Sequence, residues 1–259
     1  MKFGIMQGRL SEPVDYHYQE FPIHCWEREF ERAKELSFCG LEWLITKNYY
    51  KNNPLFADLS ILHNYPITSI CMDNLVDHNI CDEKFLNEKL VEFCEMIKEQ
   101  RDVTLTIPIL DDSDLNDDQK REIFCKLIKP IGEKYSNINF SFEAELAKEK
   151  LNEIVSLCEN FYVTYDTGNI TSCGENHAEY IRFFSNKILN VHIKDRTYFG
   201  KTVEPLNGDT DFDLIFENLQ KINYNGAFIL QTARGKDGME IETVSRHKKI
   251  FEELHERYF

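Results

Sequence analysis

The sequence predicts a (β/α)8 barrel. Three observations carry that prediction: short β-rich runs alternate with longer amphipathic runs, the strand-like runs number eight, and 259 residues is the length that eight such units fill. Regular alternation implies parallel strands joined by crossover helices. A doubly wound open sheet is the alternative. The turn after the first strand, however, reads "GIMQGRL", which lacks the glycine spacing of a phosphate-binding fingerprint. No Ser/Gly/Pro-rich linker divides the chain, and 42% hydrophobic content supports a sizeable core, so one domain over residues 1–259 is expected.

The strand candidates, in order, are 2–7, 40–45, 67–73, 103–110, 138–143, 161–166, 188–194 and 226–231. Between them, "WEREFERAKELSF" places Trp26, Phe30, Ala33 and Leu36 on one helical stripe, and "EKFLNEKLVEFCEMIKE" does the same with Leu86, Leu90, Phe93 and Ile97. "LAKEKLNEIVSLCEN" and "GENHAEYIRFFSN" are shorter helical patterns after the fifth and sixth strands. "DFDLIFENLQKI" aligns Leu214, Ile215, Leu219 and Ile222, with Asp211 or Asp213 as the cap. The last helix uses Ile241, Val244, Phe251 and Leu254.

A formal charge of −15 repels phosphate backbones and anionic head groups, which argues against nucleic-acid and membrane partners. The opening "MKFGIMQGRLSEP" is too short and too interrupted for a signal peptide, and no apolar run reaches the ~18 residues of a membrane span. Eight cysteines, at 25, 39, 71, 81, 94, 125, 158 and 173, form no C-x-x-C pair and read as reduced thiols in a cytoplasmic protein.

Barrel strands alternate between the helix layer and the lumen. On the seventh strand Leu189, Val191 and Ile193 suit the helices, which turns Asn190, His192 and Lys194 inward. The same reasoning turns Asn139, Ser141 and Glu143 inward on the fifth strand and Tyr162, Thr164 and Asp166 inward on the sixth. On the eighth it turns Ala227, Ile229 and Gln231 inward. Glu143, Asp166, His192 and Gln231 then meet at the C-terminal ends of four successive strands, the catalytic face of such barrels. Glu143, Asp166 and His192 each have an ordinary explanation alone: a helix N-terminal charge, a turn former before "TGN", a hydrogen-bonded core histidine. Together, two carboxylates, an imidazole and an amide oxygen would be costly to bury without a counterion. A divalent ion answers that need, and oxygen and nitrogen donors without thiolate suit Mn²⁺, Mg²⁺ or Co²⁺, with Zn²⁺ also compatible.

These residues and their flanks resemble the xylose isomerase-like TIM barrels, in particular the sugar phosphate isomerase/epimerase branch. The likeness spans the chain: "GIMQGRL", "GLEWL", "YDTGN" at 165–169, "VHIKDR" at 191–196, "LNGDTDFDLIF" at 206–216 and "NYNGAFILQTARG". It implies one divalent metal held by Glu143, Asp166, His192 and the residue at 231. It also implies a base on each side of the reacting carbon, from the fifth and eighth strands, and a ketose or ketose phosphate as substrate. The eighth-strand residue departs from the pattern, because the family has glutamate where this chain has Gln231. An amide oxygen can still ligate a metal, but it cannot accept a proton at neutral pH. One-base chemistry through Glu143 would suit a 1,2-isomerisation or a dehydration. A branch associated with surface-sugar biosynthesis shares an "LQTAR"-like ending.

Lys194 is expected to polarise the carbonyl or to act as the substitute acid. Arg196, Arg234 and Arg9 follow the seventh, eighth and first strands and are expected around an anionic group at the rim. Glu42 and Asp73 point inward on the second and third strands, to orient His192 or to bind sugar hydroxyls. Asn169, closing "YDTGN", completes the substrate-binding candidates. The expected function is a metal-dependent isomerase or 3-epimerase of a sugar or sugar phosphate, as a homodimer or homotetramer by analogy. A sugar-binding barrel silenced through Gln231 and an apurinic endonuclease-like enzyme are the alternatives. The latter fits poorly with a single well-placed histidine.

Overall fold

Eight parallel strands close into a barrel in the computed structural model, which describes residues 2–259. The strands are β1 (Phe3–Met6), β2 (Leu41–Leu44), β3 (Ile67–Cys71), β4 (Val103–Ile109), β5 (Ile138–Ala144), β6 (Phe161–Asp166) and β7 (Ile188–Ile193). A short antiparallel ribbon follows, β8 (Asp195–Arg196) with β9 (Thr202–Val203), and β10 (Ala227–Leu230) closes the barrel between β7 and β1. The helices are α1 (Trp26–Glu35), α2 (Ile61–Asn64), α3 (Glu83–Leu86), α4 (Glu92–Ile97) and α5 (Asp118–Lys134). They continue with α6 (Lys148–Val155), α7 (Thr167–Cys173), α8 (His177–Phe184), α9 (Phe212–Lys221) and α10 (Glu240–Tyr258). No helix among the described residues is long and apolar enough to cross a membrane.

The period-2 pattern of each strand sorts its side chains. Leu41, Trp43, Phe140, Phe142, Val163, Tyr165, Val191, Ile193 and Phe228 face the helices and belong to one continuous core. Met6, Leu44, Cys71 and Ile229 form a separate apolar cluster in the lumen. The remaining lumen is polar. Ser141 and Thr164 share a 2.6 Å hydrogen bond, and Thr106 donates to Glu42 at 2.5 Å. Strand register then aligns the charged residues, with Asp166 paired to His192 across β6 and β7 and His192 paired to Ile229 across β7 and β10.

The structure departs from the sequence expectation in four places. The helix expected over 83–99 is α3 and α4 joined by a π-helical turn over Asn87–Val91, which still buries Leu86, Leu90, Phe93 and Ile97. The 17-residue α5 is not among the helices named above. Its buried stripe includes Arg121 and Gly132, and Pro130 interrupts the pattern. Asp166, for which a turn-former role is the ordinary alternative to metal ligation, caps α7 by accepting from the Asn169 backbone N–H at 2.7 Å. The β8–β9 ribbon comes from a stretch with no alternating pattern.

The loop after β1 is fastened from below. Glu29 of α1 is fully buried and accepts from Gly8 N (2.6 Å), Leu10 N (3.0 Å) and Ser11 Oγ (2.7 Å). Gly8 there has a φ of +86°, and an added Cβ would come within 2.8 Å of the Glu20 carbonyl. Glu29→Ala leaves three donors without their acceptor. It should lower the unfolding free energy by about 2–3 kcal/mol, read as an earlier urea midpoint. An unchanged midpoint would show that water replaces the carboxylate at little cost.

Candidate active site

At the C-terminal mouth of the barrel, Glu143, Asp166 and His192 each offer one donor atom, and these atoms lie within 4.8 Å of one another. All three side chains are at least 97% buried. His192 Nδ1 is 3.2 Å from Glu143 Oε2 and 4.0 Å from Asp166 Oδ2, while Nε2 is 2.7 Å from Glu42 Oε2 on the opposite side of the ring. These are close charge contacts whose angles fall outside hydrogen-bond geometry. Asp166 Oδ2, Glu42 Oε2 and both imidazole nitrogens therefore remain buried polar atoms without a hydrogen bond. Such orphaned oxygen and nitrogen donors, facing one another, are the arrangement a divalent ion satisfies.

The charges balance locally. Burial alone would lower the His192 pKa, but Glu42 and Glu143 outweigh it and hold the imidazole well above its ordinary value. Burial pushes Glu143 up, and His192 with Lys194 more than reverses that, leaving its carboxyl well below the usual carboxylate range. Asp166 moves up because burial exceeds the attraction of Lys194. The Lys194 ammonium is 2.9 Å from Asp166 Oδ2 and donates to Gln231 Oε1 at 3.1 Å. Burial would lower its pKa, but Asp166 and Glu143 hold it above the ordinary value.

A cavity of about 290 Å³ opens above this cluster, with Glu143, Lys194 and Gln231 among its walls. The structure thus brings Glu143, Asp166, His192, Lys194 and Gln231 to one place. The substrate-binding candidates divide differently. Glu42 is fully buried beneath the imidazole, where it accepts from Ser69 and Thr106, so it faces His192 and away from the cavity. Asn169 is also buried and turns its Nδ2 to Glu143 Oε1 at 2.8 Å, so it positions the carboxylate. Arg196 is bound to Glu145, to Asn169 Oδ1 (2.9 Å) and to the Gly200 carbonyl (2.9 Å). Arg234 donates to the backbone carbonyls of Tyr18, Ser11 and Gly8 and straps the β1 loop. Of the three arginines only Arg9 reaches the cavity, and its guanidinium is held by the Tyr18 carbonyl and Gln19 Oε1. Each of the three guanidinium groups expected at the rim thus binds acceptors of the protein itself.

Sequence reasoning missed Gln19 and Tyr18, which line the cavity from the β1 loop, and Asp111 after β4. "VDYHYQE" has no periodicity that would mark them. Gln19 Nε2 donates to Asp73 Oδ1 at 2.6 Å, and Gln231 Nε2 donates to Gln19 Oε1 at 3.2 Å.

The architecture is that of a (β/α)8 barrel, and solved structures share it over the whole chain. The IOLI protein with a bound zinc atom superposes with a TM-score of 0.73 over 100% of this chain and 99% of its own, at 17% identity. A D-tagatose 3-epimerase-like protein gives 0.71 over 100% and 98%, at 19% identity. D-psicose 3-epimerase from Clostridium cellulolyticum H10, solved with D-tagatose, gives 0.70 over 100% and 99%, at 15% identity. Among curated proteins, inosose dehydratases of Clostridium botulinum (strain Alaska E43 / Type E3) and Clostridium perfringens (strain 13 / Type A) are 27% and 25% identical over 103 residues. That match covers 32% of this chain and 35% of theirs, so the chain spans about a third of the length of the curated relatives it matches. No family model matches the chain.

Behind the site, α7 is pinned through buried His177. Tyr165 Oη lies 2.5 Å from its Nδ1, and Thr171 Oγ1 lies 3.0 Å from its Nε2. Burial lowers the His177 pKa to about 4, so the folded protein holds the neutral ring. Its contribution is complete above the unfolded value of about 6.5 and is lost as pH falls toward about 4, roughly 3 kcal/mol in all. Urea unfolding at about pH 7 and pH 4.5 should show that loss in the wild type and a shallower one in His177→Gln. Equal slopes for the two proteins would assign the acid sensitivity to other groups.

Proposed function

We propose that this protein is a divalent-metal-dependent sugar isomerase or epimerase that removes a proton next to the carbonyl of a ketose. The observation that carries the reading is the buried Glu143–Asp166–His192 cluster, with its facing donor atoms, opening onto a cavity that Lys194 and Gln231 share. The metal would be held by Glu143, Asp166, His192 and the inward-turned Oε1 of Gln231. When bound, it supplies positive charge against the oxyanion that develops on the substrate. Mn²⁺, Mg²⁺, Co²⁺ and Zn²⁺ are all consistent with these donors.

The chain's own residues supply the rest. Glu143 is the base. Asn169 fixes one of its oxygens and its electrostatic surroundings keep it ionised, so the carboxylate is ready to accept a proton at neutral pH. Lys194 lies beside it with its ammonium toward the cavity and donates to the substrate oxygen as the carbonyl becomes an enediolate. Glu42 holds the imidazole from behind, as carboxylates commonly do for metal-binding histidines. Because Arg196 and Arg234 are committed to protein acceptors, a free ketose is favoured over its phosphate. The inosose dehydratase relatives support a second outcome of the same first step, in which the enediolate expels a neighbouring hydroxyl as water.

Metal binding is the first test. Metal-stripped protein should take up about one divalent ion, and Glu42→Gln should weaken that uptake by about 10- to 100-fold. Protein that takes up no ion, by calorimetry or elemental analysis, would remove the metal from the reading. Proton NMR in D2O, with pentuloses, hexuloses, their phosphates and inososes, tests the chemistry. Chelator-sensitive deuterium uptake at a carbon next to the carbonyl is expected, and Glu143→Gln should slow it by about 10²- to 10⁴-fold for the substrate that Glu143 deprotonates. If Glu143→Gln leaves the exchange of every substrate at its wild-type rate, the base lies elsewhere.

A further inference from the structure

Resting on that proton-abstraction reading, we propose that Asp73 is the second proton-handling group of this site, replacing the carboxylate that position 231 lacks. Asp73 lies two residues past the end of β3 and lines the same cavity as Glu143, Lys194 and Gln231. Glu143 stands on β5, with β4 between them, so the two carboxyls approach a bound substrate from different walls.

A hydrogen-bond chain of defined direction ties Asp73 to position 231. Lys194 Nζ donates to Gln231 Oε1 (3.1 Å), Gln231 Nε2 donates to Gln19 Oε1 (3.2 Å), and Gln19 Nε2 donates to Asp73 Oδ1 (2.6 Å). Arg9 also donates to Gln19 Oε1 at 3.2 Å, which fixes that amide's orientation. One glutamine side chain therefore spans the gap between the two positions. A carboxylate at 231 would set oxygen against Gln19 Oε1. Turning the Gln19 amide to relieve that contact would set its oxygen against Asp73. An amide at 231 and a carboxyl at 73 are thus mutually consistent, and the acid has moved to the opposite end of Gln19. Among the described residues, the Asp73 side chain is hydrogen-bonded through Oδ1, which leaves Oδ2 without a protein partner.

Protonation is consistent with this division of labour. Burial, against the hydrogen bond from Gln19 and with help from Asp77, Glu143 and Glu20, pushes the Asp73 carboxyl up to about 7. A large share of Asp73 then carries a proton at neutral pH, as a donor must. In the forward direction Glu143 takes the proton from the carbon next to the carbonyl, and the C–H electron pair moves into the enediolate. Asp73 gives its proton to that carbon, the new C–H bond takes the electron pair, and the carbonyl re-forms. Glu143 ends protonated and Asp73 ionised, and proton exchange with water resets both.

The test compares wild type, Asp73→Asn and Glu143→Gln, each stripped and reloaded with Mg²⁺ or Co²⁺. The substrates are two pairs of C3 epimers in D2O, D-fructose with D-psicose and D-tagatose with D-sorbose. Wild type should incorporate deuterium at C3 and interconvert one pair. Asp73→Asn should keep incorporation into the member that Glu143 deprotonates and lose interconversion by about 10²-fold or more. Glu143→Gln should show the mirror pattern. Adding Gln231→Glu to Asp73→Asn returns a carboxyl to the site, reverses the preferred orientation of Gln19, and should restore part of the interconversion. Asp73→Asn is nearly isosteric and should melt close to wild type. If Asp73→Asn interconverts the epimers like wild type, or loses exchange equally from both members, Asp73 is not the second acid. If wild type exchanges no carbon-bound proton of any of the four sugars, the ketose reading fails and this inference falls with it.

Discussion

Glu42, Glu143 and Asp166 are carboxylates that water scarcely reaches, and His192 lies among them without measurable exposure. Burying such groups unpaired would cost several kcal/mol each, so the barrel mouth is organised around their mutual neutralisation. The imidazole takes Glu42 on one nitrogen and faces Glu143 and Asp166 with the other, while the Lys194 ammonium closes the ring of charge on the cavity side. Supporting residues follow from that need. Ser69 and Thr106 occupy Glu42, Asn169 occupies Glu143, and the α7 N-terminus occupies Asp166. The lumen is polar on this side because the charges demand partners there. The apolar cluster of Met6, Leu44, Cys71 and Ile229 fills the remaining space.

How well each residue could be read from the sequence depended on how local its determinant was. Side-chain direction on a strand is set within two residues, so Glu143, Asp166, His192 and Gln231 could be placed inward by alternation alone. Eight strands could be counted for the same reason. Arginines do not obey that logic. Whether Arg234 meets a ligand or the carbonyls of Gly8, Ser11 and Tyr18 is decided by a loop more than 200 positions away in sequence. Gln19 sits in an aperiodic polar loop, and only its contacts with Asp73, Arg9 and Gln231 distinguish it from any surface glutamine. α5 escaped notice because Arg121 in its buried stripe, and Pro130 within it, break the expected apolar repeat.

Gln231, where the sequence resemblance leads one to expect a carboxylate, invites a reading of lost function when taken alone. In the folded protein the same amide is oriented at both ends. Its oxygen accepts from Lys194 at the charged cluster, and its nitrogen donates toward Gln19. A carboxylate could make the first contact and would repel the second. A side chain whose two ends meet partners of opposite hydrogen-bonding character is fitted to its surroundings, and those surroundings are residues from the β1 loop and β7 that no strand pattern would link. The substitution therefore has to be judged together with Gln19 and Asp73. A mouth that positions a carboxyl, two amides and an ammonium in one directed chain keeps the parts that proton transfer requires.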